Sequence, residues 1–158
     1  MPEDRSPLDL ARIGEYRLTV LVGEPTAPGG LTRVRLDGTG RIQAEQVFAT
    51  APVGPEAQTA EIVRDGGRVT DRASGELRHD EVANILRQAS LVPWGQPDPS
   101  RSGVPPEAIT NWSFRTADGR EHTLRMWLRD AEADEAVGPV LRELNRHLLR
   151  IAKGTIFF

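Results

Sequence analysis

Cysteine is absent from this chain of 158 residues. That one absence excludes disulfides, thiolate zinc sites, iron–sulfur clusters and a cysteine nucleophile. Lysine is nearly absent too: of 20 Lys+Arg only Lys153 is lysine, and against 23 Asp+Glu the formal net charge is −3. No global positive excess exists to drive phosphate-backbone binding by counterion release, which disfavours nucleic acid as a partner. Long apolar runs are missing as well, since no window approaches the roughly 18 consecutive apolar residues that a membrane span needs. The opening Met1-Pro2-Glu3-Asp4-Arg5-Ser6 is acidic and has no apolar signal core, so the expected location is the cytoplasm, without membrane association. The choice of Arg and Ala over Lys has the look of a bacterial coding bias.

What is present suffices for one core. The expected organisation is an N-terminal tail over residues 1–14 and a single α+β domain over residues 15–158. In the tail, Ser6-Pro7-Leu8-Asp9 supplies an N-cap, a proline at the first helical position and a first-turn acid, the start of a short helix. Glu15 to Val22 alternates Tyr16, Leu18, Val20 and Val22 with Arg17 and Thr19, the period of a strand with one buried face. Leu31 to Leu36 and Arg41 to Phe48 read as a hairpin around Asp37-Gly38-Thr39-Gly40, and a shorter one follows around Asp65-Gly66-Gly67, with Ile62 and Val63 before it and Val69 after. From Arg78 the period changes: Val82, Ile85, Leu86 and Ala89 fall on one face of a helix over about residues 79–91. Pro93 stops it, and the prolines 93, 97, 99, 105 and 106 make the stretch 93–106 an irregular loop.

A second apolar ribbon turns at Asp118-Gly119, with Trp112 and Phe114 on the incoming strand and Leu124, Met126 and Leu128 on the return. The acidic run Asp130 to Glu135 then precedes a helix over about residues 138–153, whose Val140, Leu141, Leu144, Leu148 and Ile151, with Val137 ahead of them, lie on an arc of about 100° at 3.6 residues per turn. Acids before a helix favour its dipole, which is reason enough for that run without invoking a metal. The expected architecture is a single antiparallel sheet of about six or seven strands with both helices packed on one face.

The chemistry-bearing residues are few. His79 sits in a first helical turn, His122 on a strand and His147 one turn after Glu143, so no histidine pair has metal-ligand spacing. Ser74 is not in a G-x-S-x-G elbow, and the glycine pairs open no nucleotide-binding helix. No metal or cofactor and no enzymatic activity are expected. Three features suit contact with another macromolecule. Trp127 shares a strand face with Thr123 and Arg125, away from the apolar one, where it is either covered by a neighbouring segment or an aromatic anchor. Arg142, Arg146 and Arg150 form a basic stripe, either favourable charge near a helix C-terminus or a site for an acidic partner. Ile156, Phe157 and Phe158 end the chain as an apolar tail, folded back or partner-binding.

Two functions follow from these residues. One is a non-catalytic protein–protein interaction module, an adaptor, inhibitor or immunity-type protein, whose partner is another protein or a second copy of the chain. The alternative is an enzyme or small-ligand binder whose site is assembled from dispersed residues such as His122, Arg125, Glu143 and His147. The order of a Gly-Gly-apolar strand, a helix, an Asp-Gly hairpin and a closing helix is similar, over the last half of the chain, to small bacterial metalloprotease inhibitors of the emfourin type. The resemblance implies a non-catalytic inhibitor and gives no residue a role.

Overall fold

The computed structural model describes residues 8–23, 31–48, 68–94 and 109–152. Ile156, Phe157, Phe158, the Ile62-Val63 arm of the expected second hairpin and most of the proline-rich stretch lie outside them. Six strands, β1 (Arg17–Gly23), β2 (Leu31–Asp37), β3 (Arg41–Phe48), β4 (Arg68–Glu76), β5 (Ile109–Arg115) and β6 (Glu121–Trp127), form one antiparallel sheet in the order β4-β3-β2-β1-β5-β6. The apolar alternation sets the register: Leu18, Val20 and Val22 of β1 lie opposite Leu36, Val34 and Thr32 of β2, and Val20 and Leu18 lie opposite Trp112 and Phe114 of β5. All of these are buried.

Three helices follow the hairpins: α1 (His79–Ala89), α2 (Leu128–Ala133) and α3 (Val137–Ala152). The two long ones cover the apolar sheet face, burying Val82, Ile85, Leu86 and Ala89 of α1 and Val140, Leu141, Leu144 and Leu148 of α3. They cross it in opposite directions. Just beyond the end of α1, Trp94 stacks on Phe114 of β5 at 5.5 Å, and α3 ends with Ile151 over Gly75 of β4, where a Cβ on the glycine would lie 2.8 Å from Ile151 Cγ2. Strand β4 therefore carries small residues, Ala73 and Gly75, on its covered face.

Local chemistry differs from the sequence expectation at two places. The first helix is a 3-10 turn, Leu10–Glu15, capped by Asp9, whose Oδ1 accepts from Ala11 N–H at 3.1 Å. It packs on the β2–β3 turn so closely that a Cβ on Gly38 would meet Ile13 O at 1.5 Å. Leu128 does not continue the strand but opens α2, a helix taken partly from the acidic run. Within that run Asp134 does the expected capping: its Oδ1 accepts from Ala136 and Val137 N–H at 2.8 and 2.9 Å, at the start of α3. Asp118-Gly119 makes the turn between β5 and β6, with Gly119 at φ +85°.

Candidate functional site

Arginine is the chain's main cation, and the fold divides it between two surfaces. On the helical layer, the stripe residues Arg146 and Arg150 are committed within the fold. Arg146 donates to Glu143 Oε1 at 2.8 Å, and Arg150 Nη2 stands 2.8 Å from His147 Nδ1 and 3.9 Å from Glu81 Oε1. His147, one turn after Glu143, is 1% exposed, beneath these arginines. A guanidinium only donates, so Nδ1 accepts from Arg150 in this short contact, while Nε2 lies 3.4 Å from Arg146 Nη2 and 4.0 Å from Glu143 Oε1. Burial, with the positive charges of Arg146 and Arg150, lowers the His147 pKa against the opposing pull of Glu81 and Glu143.

Glu81 closes the cluster from α1. It accepts the Arg78 N–H at 2.9 Å, the cap-side bond of its own helix, and that bond chiefly holds its carboxyl below its usual range. The cluster thus joins the N-terminus of α1 to the C-terminus of α3, each end bearing the charge its dipole favours. Arg142, the third stripe residue, is exposed and lies back over Gly138, whose added Cβ would be 3.2 Å from Arg142 Nη1.

The sheet's second face, away from the helices, carries the other arginines. Strand alternation directs Arg17, Thr19 and Leu21 of β1 there, with Arg33 and Arg35 of β2, Arg41, Gln43 and Glu45 of β3, Asn111, Ser113 and Arg115 of β5, and Glu121, Thr123, Arg125 and Trp127 of β6. Its two ends differ. Toward Trp127 the face is partly covered: Val47 is buried outside the main core, and the Arg33–Glu45 ion pair keeps only 15% and 18% of its side-chain surface. Trp127 itself is half-buried and has an interaction partner. Toward the β2–β3 turn the face is exposed.

At that exposed end, Arg41, Arg35, Arg17 and Arg115 stand on four consecutive strands, β3, β2, β1 and β5. Arg17 is directly opposite Arg115, a like-charge pair that costs stability in an isolated sheet. Arg35 is diagonal to Arg17 on one side and to Arg41 on the other. Arg17 pairs with Asp37 at 3.0 Å, whereas Arg35, Arg41 and Arg115 have no hydrogen-bond or ion-pair partner among the described residues. Glu121, opposite Arg115, instead accepts from the Ser113 hydroxyl at 3.0 Å. No single strand shows this arc; only the register of four strands assembles it.

The dispersed catalytic candidates do not converge. His122 lies on the helix side of β6 and Arg125 on the opposite face, while Glu143 and His147 belong to the α1–α3 cluster. Among the described residues no group of three or more His, Asp or Glu side chains is disposed to hold a metal ion. Trp127 and the arginine arc share the second face but sit at its two ends, about 20 Å apart along the strands. The stripe lies on the other side of the sheet. Compared with known proteins, the chain matches no family model and no curated relative.

Proposed function

We propose that this chain is a non-catalytic protein–protein interaction module, of adaptor, inhibitor or immunity type, and that it engages its partner through the exposed end of the second sheet face. The observation that carries this reading is the arc of arginines there, three of them without an ion-pair partner among the described residues, with Arg17 and Arg115 opposed. Antiparallel sheets commonly leave one face to solvent, but they favour opposite charges across strands, not repeated like ones. Guanidiniums that make no ion pair with a described residue are ready to accept carboxylates from another molecule, in the bidentate geometry that makes such contacts strong.

The experiment is recovery of the chain, tagged and at native abundance, from its own cell lysate. A protein recovered in stoichiometric amount, and lost when Arg35→Glu replaces the wild type, is the expected result. A metal ion or small molecule retained by the purified chain in native mass spectrometry, with no protein partner, would instead support the dispersed-site alternative.

A further inference from the structure

We infer that the partner segment received by this face is acidic and extended, with carboxylates at alternate residues, laid across strands β3, β2, β1 and β5. The inference rests on the interaction-module reading above and names the chemistry of what is bound. Its first support is charge. The chain as a whole is negative, at −3, yet its unpartnered described arginines, Arg35, Arg41, Arg87, Arg115 and Arg142, include three on one exposed sheet end. The acidic residues nearest the arc are Asp37, which holds Arg17, Glu121, which accepts from Ser113, and Glu76 of β4, the cross-strand partner of Arg41; Arg35, between Thr19 and Gln43, has no carboxylate directly opposite it.

Its second support is spacing. Neighbouring strands are about 4.8 Å apart, so an arc over four of them spans about 14 Å. An extended chain rises about 3.4 Å per residue, so side chains at i, i+2 and i+4 on one of its faces cover nearly the same length. Carboxylates at those positions are therefore spread over the length of the arc, from Arg41 past Arg35 and Arg17 to Arg115. At its far end the fold leaves like charges opposed, Arg17 against Arg115. The floor between the arginines is short and polar, with Thr19 and Ser113 as cross-strand partners and Gln43 beside Arg35, so a backbone can approach it closely.

Single-stranded nucleic acid presents anions too, but it fits the face less well. Proteins that bind it on a sheet stack bases on aromatic side chains. Among the described residues of this face the one aromatic is Trp127, at the far, half-buried end.

The test uses the full chain and a fluorescein-labelled peptide of alternating glutamate and serine, with an oligothymidylate of similar charge as competitor probe, read by anisotropy over a salt series. Saturable binding of the peptide is expected. Arg35→Glu weakens it by at least about tenfold, whereas Arg142→Glu, the same charge change on the helical layer, leaves it within about twofold. Equal loss in both variants would reduce the effect to overall charge and overturn the inference. So would the absence of peptide binding, or oligothymidylate binding as tight as the peptide's. If Arg35→Glu melts differently from wild type, Arg115→Glu carries the same comparison. Loss of a stoichiometric lysate partner in Arg35→Glu without any peptide binding would retain the interaction module and discard the acidic strand.

Discussion

Arg146 and Arg150 on α3 and Arg35 and Arg115 on the sheet are the same side chain in two opposite settings. On the helix, each arginine has an internal counterpart: Glu143 for Arg146, and His147 with Glu81 for Arg150. On the sheet, Arg17 has Arg115 directly opposite it, Arg35 has Arg17 and Arg41 as diagonal neighbours, and Arg35 and Arg115 have no described partner. Basic charge on a protein surface is therefore not one kind of signal. Where the fold pairs arginine with an internal acceptor, it is part of the scaffold; where it sets like charges side by side, the guanidiniums are open to a ligand from outside.

The largest effect expected breaks the layer that holds the first group together. Leu144 is 1% exposed in the middle of the core under α3. Leu144→Asp buries an unpaired carboxylate, which costs several kcal/mol, a large fraction of the stability of a domain this size. The variant should lose its cooperative melting transition in circular dichroism, whereas a retained transition near wild type would show the helix turned differently on the sheet.

The next effect is specific to the helical cluster and has a definite sign. His147 is held neutral by burial and by Arg146 and Arg150, so its folded pKa lies below its ordinary value near 6.5. The unfolded chain then binds a proton that the folded chain does not. The cluster's stability is complete above about pH 6.5 and falls as pH drops from there through the lowered folded pKa, by no more than about 1.4 kcal/mol per pH unit for one proton. Urea melts between pH 7.5 and pH 5 should show that fall in the wild type and a flatter profile in His147→Gln. Identical slopes would mean that His147 is not kept neutral by its surroundings.

Sequence reading reached the first region further than the second, for a physical reason. The amphipathic period of α3 and the alternation of β1, β2, β3 and the β5–β6 ribbon reflect burial on one face, and that pattern is written locally in the chain. Strand β4 shows less of it because Ile151 packs down on Gly75, so small residues stand where an apolar alternation would otherwise appear. Leu128 looked like a strand residue because it extends the period of Leu124 and Met126, but the backbone turns into α2 after Trp127. The spacing of His147 from Glu143 does not show its burial, and the cluster it belongs to includes Glu81 of α1, 66 positions earlier in the chain. The arginine stripe was legible at i, i+4 spacing, whereas the arc draws on residues 17, 35, 41 and 115, which share no local pattern. A register that joins β1 to β5 across the three strands and the helix between them in the chain is what a single sequence does not disclose.

The smallest expected effects sharpen the comparison most, because they ask what each arginine contributes to the fold. Arg150→Ala removes the hydrogen-bond donor to buried Nδ1 and should destabilise by about 1 kcal/mol. Arg146→Ala removes an exposed i,i+3 pair and should stay within about 0.5 kcal/mol of wild type. Arg115→Ala should do neither. It removes one member of the opposed Arg17–Arg115 pair and no described hydrogen bond, so stability measured by urea melts should rise by a few tenths of a kcal/mol or remain unchanged. A loss of more than about 1 kcal/mol for Arg115→Ala would make the arc scaffold like the stripe, and the distinction between the two surfaces would fall. Its gain or neutrality, set beside the loss in Arg150→Ala, would mean that the sheet arginines are kept for something other than holding the chain together.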